Sequence, residues 1–161
     1  MSYIQELREI IGSRPIILVG ATVLLFKCDG RILLLKRADN QSWGPPGGAL
    51  ELGETVEQAA RREALEEAGL EIEDLTLFGV FSGPDHFYQY PNGDQVYVVD
   101  IAFSAFCPEG LPAFDAQEHT DLGFFELHDL PSPMSPPILP ILERAIEIYR
   151  VNGLSGIVSN G

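Results

Sequence analysis

Basic residues are scarce in this chain: 10 Lys and Arg stand against 24 Asp and Glu among 161 residues, a formal net charge of −14. A nucleic-acid backbone draws much of its affinity from Lys and Arg contacts to phosphates, so a nucleic-acid partner is not expected. An acidic protein can still take an anionic phosphate ligand when divalent cations stand between carboxylates and phosphates. Solubility alone explains the same charge, and composition does not separate the two readings. Cysteine is nearly missing. Cys28 and Cys107 lack zinc-type spacing and fall in apolar, strand-like stretches, which points to buried reduced thiols rather than a disulfide. Long apolar runs are missing as well. Ile16–Leu18 and Ile32–Leu35 are far shorter than the roughly 20 residues that cross a bilayer, and no basic-then-apolar leader opens the chain. A cytoplasmic protein with no membrane partner is the expectation.

What is present suits one domain, with 45% hydrophobic residues to fill a core. Tyr3–Ile11 carries Ile4, Leu7, Ile10 and Ile11 at helical spacing and stops at Gly12. Ile16–Lys27 and Arg31–Arg37 flank the turn Cys28-Asp29-Gly30 and read as a β-hairpin. The Gly- and Pro-rich loop Asp39–Gly53 is too long for a plain connector and reads as functional. Strands are expected at Leu75–Phe81, Phe87–Tyr90, Gln95–Phe106 and Leu122–Glu126, with the hairpin turn Pro91-Asn92-Gly93-Asp94 between the second and third. Ile138–Arg150 has a helical apolar stripe. Residues 1–153 thus form the expected domain, and 154–161 the expected flexible tail.

The strongest helix is Thr55–Ala68. Thr55 can cap it with Gln58 completing a capping box, Gly69 ends it, and Glu57/Arg61 and Arg62/Glu66 stand four apart for surface pairing. At about 100° per residue, Val56, Ala59 and Ala60 form an apolar face with Glu63 and Glu67 in its middle, and Glu66 flanks it. A solvated face suits Glu57 and Glu66. It suits Glu63 and Glu67 poorly, because their partners at four-residue spacing are Ala59, each other and Glu71, none of them basic. Two carboxylates turned toward a core are costly without a cation, and all-oxygen ligation suits Mg²⁺ or Mn²⁺. Upstream, Trp43-Gly44-Pro45-Pro46-Gly47-Gly48 leads into Glu51 and Glu54, with glycines that permit close backbone approach.

The segment Gly48–Leu70, GALELGETVEQAARREALEEAGL, resembles the Nudix box. Gly48, Glu54, Arg62, Glu63, Glu66, Glu67, Gly69 and Leu70 match at fixed spacing over 23 residues, and only Ala64, small where the family has an aliphatic residue, is a weak match. Trp43 with Pro46-Gly47-Gly48 is similar to the family's lead-in. Glu118 followed by Leu122, Phe124, Phe125 and Leu130-Pro131 resembles its late strand and exit.

The resemblance implies an α/β Nudix fold, a mixed β-sheet sandwiched between α-helices. It implies Mg²⁺- or Mn²⁺-dependent hydrolysis of a nucleoside diphosphate linked to X, with a small-molecule nucleotide as partner; a homodimer is compatible with it. Carried over by position, Glu63, Glu66, Glu67 and the Gly48 carbonyl hold the metal, and Arg62 orients a box glutamate such as Glu54. Glu63 and Glu118 are the candidates for the general base. Arg37, ending a strand before the box loop, is a candidate phosphate contact, and Tyr88, in an aromatic-rich hairpin, a candidate stacking surface. His119 and His128 show no metal spacing and stay unassigned. Two stacking surfaces favour a nucleoside diphosphate sugar such as ADP-ribose. The alternatives are an (oxidised) nucleoside triphosphate pyrophosphohydrolase, a non-catalytic nucleotide-binding module, and an isomerase, for which neither cysteine supplies visible machinery.

Overall fold

The computed structural model describes residues 2–158. Helix α1 (Tyr3–Ile11) is capped by Ser2, whose side chain accepts from the Gln5 amide while the Gln5 side chain bonds back to Ser2. Strands β1 (Ile16–Phe26), β2 (Ile32–Arg37), β3 (Trp43–Gly44) and β4 (Gly47–Ala49) precede helix α2 (Val56–Ala68). Strands β5 (Thr76–Phe81), β6 (Phe87–Gln89), β7 (Gln95–Phe106) and β8 (His119–Phe125) follow, and helix α3 (Leu139–Asn152) closes the order.

The eight strands form one mixed sheet with the path β3-β2-β1-β7-β5, onto which β4, β6 and β8 are added at β1, β7 and β2. Strand β1 runs parallel to β7 from Ile16↔Val96 to Phe26↔Phe106. The hairpin expected between β1 and β2 has its turn, but the strands are partners only at Phe26↔Ile32. Beyond that point β1 is taken up by β4, and β2 by β3 and β8. The divergence splits the sheet open on the side where the site forms. It also resolves part of the loop Asp39–Gly53 into two short strands, which a reading of local sequence cannot find because each exists only through its distant partner.

Alternation along β1 supplies both faces. Ala21, Val23 and Leu25 pack with the alanines of α2, whereas Leu24 and Phe26 pack with Ile141, Leu142 and Ala145 of α3. The sheet is therefore sandwiched between α2 and α3, and the expected fold class stands.

Two expectations are corrected. Cys28 lies in the β1–β2 turn and is exposed, and Cys107 is half-buried; both are free thiols. The tail expected from residue 154 is packed as far as it is described. Leu154–Gly156 form a 3₁₀ turn, Ile157 and Val158 are buried against the α3 side of the sheet, and the Ser104 hydroxyl donates to the Ile157 carbonyl at 2.5 Å. Residues 159–161 lie outside the described residues. Gly153 ends α3, and the apolar pair beyond it is too short to show a period, which is why the segment reads as a tail. Ile157→Ala should cost about 2–5 kcal/mol in a denaturant titration, as large-to-small changes in cores do. An unchanged midpoint would return the segment to the status of a loose end.

Candidate active site

Helix α2 places the box glutamates by its small residues. Ala59, Ala60, Ala64 and Ala68 are fully buried and let the helix lie close to the sheet. Thr55 caps it through a reciprocal bond with Gln58, and Gly69 ends it in the left-handed conformation at φ 66°. Leu65 is turned out to solvent, 49% exposed. Glu63 and Glu67 thus face the end of β4. Two glycines there are required by close approach. A Cβ on Gly47 would sit 2.7 Å from the Ala21 carbonyl oxygen, and one on Gly48 would collide with the Glu63 carboxylate. The space saved lets the Gly47 amide donate to Glu67 Oε2 at 2.8 Å.

Arg62 ties the box together. Its guanidinium donates twice to Glu54, at 2.8 and 3.0 Å, and also to Glu63 at 2.5 Å, Glu66 at 3.2 Å and the Ala49 carbonyl at 3.1 Å. This fork holds the Glu54 carboxyl below its usual range and raises the guanidinium above its own. Glu63 behaves differently. Burial raises its carboxyl despite Arg62, and Glu66 and Glu118 add repulsion. Glu66 itself is exposed, as expected for a member of the surface pair with Arg62. Arg61 makes no ion pair with Glu57; it reaches the carbonyls of Ile72 and Glu73 and fastens the end of α2 to the next segment.

Glu67 is the most perturbed carboxylate. It is 7% exposed, and burial pushes its carboxyl up to about 8, with Glu63 and Glu118 adding to the rise. Strand β8 brings two further groups to it. Ligand atoms of Glu67, Glu118 and His119 lie within 4.8 Å of one another, and His119 Nε2 stands 3.6 Å from Glu67 Oε1. Burial lowers the His119 pKa and disfavours the charged imidazole, and its Nδ1 has no partner among the described residues. One buried carboxylate, Glu67, with the exposed Glu118 and the buried His119 imidazole converging on it, fits a divalent cation. Sequence patterning misses His119. Its one signal is position: it follows Glu118 at the start of a strand, where alternation turns it inward.

Three hollows meet at Glu67. One is acidic and holds Gly48, Glu63, Glu66 and Glu118, with Ser2 and Gln5 of α1 at its rim. A second holds Arg37, Asp39, Glu118 and His119. The third is a mostly apolar cleft between the diverging strands, reaching from Gly47, Gly48 and Glu67 to Leu18, Val98, Tyr88 and Tyr90. Arg37 lines this cleft but is not free: it donates to both Asp39 oxygens at 2.9 and 2.8 Å, which raises the arginine's pKa and lowers that of Asp39. Tyr88 accepts from Asn40 Nδ2 at 2.6 Å and meets Tyr90 edge to face at 4.8 Å between centroids. Of the other aromatics in that region, Phe78 and Phe81 pack against the α3 core and Phe87 against Tyr97, so only part of the aromatic stretch borders the cleft.

The structure therefore gathers Gly48, Arg62, Glu63, Glu66, Glu67 and Glu118 around one acidic hollow, reaches Glu54 only through its bonds to Arg62, and places Arg37 and Tyr88 on the adjoining cleft. Known proteins resemble the chain in sequence and in overall shape. A "MutT-like protein" of Streptomyces ambofaciens is 44% identical over 69 residues, covering 43% of this chain and 45% of its own length. An "ADP-ribose pyrophosphatase" of Methanocaldococcus jannaschii is 41% identical over 107 residues, covering 64% of this chain and 59% of its own. The chain thus spans about half the length of these curated relatives. The crystal structure of a MutT NUDIX hydrolase from Burkholderia pseudomallei superposes with a TM-score of 0.68 at 35% identity, over 81% of this chain and 98% of that one. The NUDIX domain profile matches residues 17–145, from β1 into α3, and the chain belongs to that family.

Proposed function

We propose that the protein hydrolyses a phosphoanhydride bond in a nucleoside diphosphate linked to a second group X, with Mg²⁺ or Mn²⁺ bound, and that a nucleoside diphosphate sugar such as ADP-ribose is its preferred substrate. The observation that carries this reading is the junction at Glu67 of an acidic hollow with a cleft bordered by Tyr88 and Tyr90. When bound, the cation neutralises phosphate charge and acidifies the attacking water. Glu63, Glu66, Glu67 and the Gly48 carbonyl hold it. Arg62 fixes Glu54 and Glu63 in place. Glu118 is exposed, no described residue hydrogen-bonds its carboxylate, and it faces Glu67, so it is the better placed of the two proton acceptors; Glu63 is engaged by Arg62. Arg37 leaves Asp39 for a phosphate oxygen, and Tyr88 offers a stacking face.

The relative named for ADP-ribose supports the diphosphate-sugar choice. Two stacking surfaces suit a base and a second ring, at about 1–3 kcal/mol per stacked base in other systems. A triphosphate pyrophosphohydrolase is the second reading, supported by a similar protein of Bacillus subtilis named "Putative 8-oxo-dGTP diphosphatase". A panel of diphosphate sugars, dinucleoside polyphosphates and normal and oxidised dNTPs separates them. Cleavage of a diphosphate sugar releases a nucleoside monophosphate and a sugar phosphate, whereas a triphosphate releases pyrophosphate. The highest kcat/KM is expected for a diphosphate sugar; a higher value for any dNTP overturns that choice.

A further inference from the structure

The cleft contains an acidic group that the hydrolysis does not use. Asp100 lies on β7 opposite Gly20 of β1, on the sheet face that also carries Val98 and, through the parallel pairing, Leu18 and Thr22. Those residues line the cleft, and Asp100 lines it with them. Only 4% of Asp100 is exposed. The Thr22 hydroxyl donates to its Oδ2 at 2.9 Å, while Oδ1 is buried and has no partner among the described residues. Stranding a buried acceptor is destabilising, and more so for a charged one. A strand otherwise rich in Val, Ile, Ala and Phe gains nothing structural from that cost. Gly20, its neighbour across the ladder, leaves the space beside the carboxylate without a side chain, and Leu18 and Val98 give that space apolar walls.

Resting on the nucleotide reading above, we propose that Asp100 determines base specificity: Oδ1 accepts a hydrogen bond from an exocyclic amino group of the substrate's purine. Thr22 is the positioning residue, because its bond to Oδ2 fixes the carboxylate and leaves Oδ1 as the acceptor without a partner. A buried acceptor of this kind discriminates well, since a base that presents no N–H there leaves the carboxylate unpaired. Burial raises the Asp100 carboxyl to about 6, so at pH 8 the group is ionised and accepts only.

The test is calorimetric binding of AMP, GMP and IMP at about pH 8 in Mg²⁺, conditions in which Asp100 is ionised. AMP and GMP each carry an exocyclic amine, and IMP carries none. IMP is expected to bind at least about 10-fold more weakly than the better of the two, by analogy with other sites built around one hydrogen bond. Asp100→Asn presents an amide in place of a pure acceptor and should shrink that ratio by about the same factor. Equal binding of IMP and the better amine by the wild type overturns the proposal. So does an unchanged ratio in a folded Asp100→Asn, or binding of none of the three. The wild-type comparison stands even if the variant fails to fold. Product binding also separates this proposal from the enzymatic one. Asp100-dependent selection without turnover of any nucleotide sinks the hydrolase reading alone, and turnover with an unaltered ratio in the variant sinks the specificity assignment alone.

Discussion

Glu67→Gln is expected to lower kcat at least about 10²-fold while the protein stays folded, the scale of loss seen when one electrostatic catalytic group is removed elsewhere. Glu67 is where the acidic hollow, the β8 cluster and the cleft meet, so its charge acts on whatever cation and phosphate lie between them. Glutamine keeps the size and can still accept from the Gly47 amide, which leaves the loop in place. Glu63→Gln should cost a similar factor. It also removes one of the four carboxylates and carbonyls that Arg62 holds, so part of its effect can pass through Glu54. Glu118→Gln separates the proton acceptor from the ligands. A loss of at least about 10-fold in kcat with little change in KM is expected, because a general base acts on the transition state and contributes little to ground-state binding. Wild-type turnover by folded Glu67→Gln would reduce the buried glutamates to structural residues.

Removal of divalent metal has the largest expected effect. Turnover in excess EDTA should fall to background and return with Mg²⁺ or Mn²⁺, because no Lys or Arg lies near enough to Glu67 to form an ion pair among the described residues, and burial disfavours the charged form of the nearby His119. Stability should respond as well. An unperturbed glutamate titrates near 4.5, whereas folded Glu67 is pushed up to about 8. Folding therefore favours the protonated carboxyl. The stabilisation is complete below 4.5 and is lost as pH rises through about 8. Asp100, raised to about 6, contributes in the same direction. Metal-free wild type should accordingly show a falling Tm between about pH 5 and pH 8.5, and Glu67→Gln a flatter profile with a higher Tm at the alkaline end. Saturating Mg²⁺ should remove most of the difference, since a bound cation stabilises the ionised form. A metal-free Tm that rises over that interval in the wild type would show that Glu67 is not the desolvated group described above.

How much of this is legible in the sequence depends on whether the cause is local. The helix α2 is legible because its capping box, its alanine face and its terminal glycine all lie within one segment. Glu63 and Glu67 are legible because a wheel sets them on that face without a basic neighbour. The Pro91–Asp94 turn is legible for the same local reason. What pairs at a distance is not. The parallel match of β1 to β7 joins residues about eighty positions apart, and it is this match, rather than the β1–β2 turn, that opens the cleft. Strands β3 and β4 take their identity from partners elsewhere in the sheet, and Ile157 and Val158 from a core already built by other elements. His119 and Asp100 carry no motif. Their interest comes from an unpartnered buried atom in each, which is a property of the folded chain.

The most direct test of the central claim measures Mn²⁺ occupancy and turnover on the same samples. Electron paramagnetic resonance counts free and bound Mn²⁺ while ADP-ribose cleavage is followed in parallel. Wild type should bind Mn²⁺ with turnover rising in proportion to occupancy, and Glu67→Gln should lose both together at least about 10-fold, as loss of a coordinating or supporting group typically does. Equal Mn²⁺ affinity in the two proteins, or wild-type turnover with no Mn²⁺ bound and other divalent metals removed, would contradict a catalytic cation held by the α2 carboxylates.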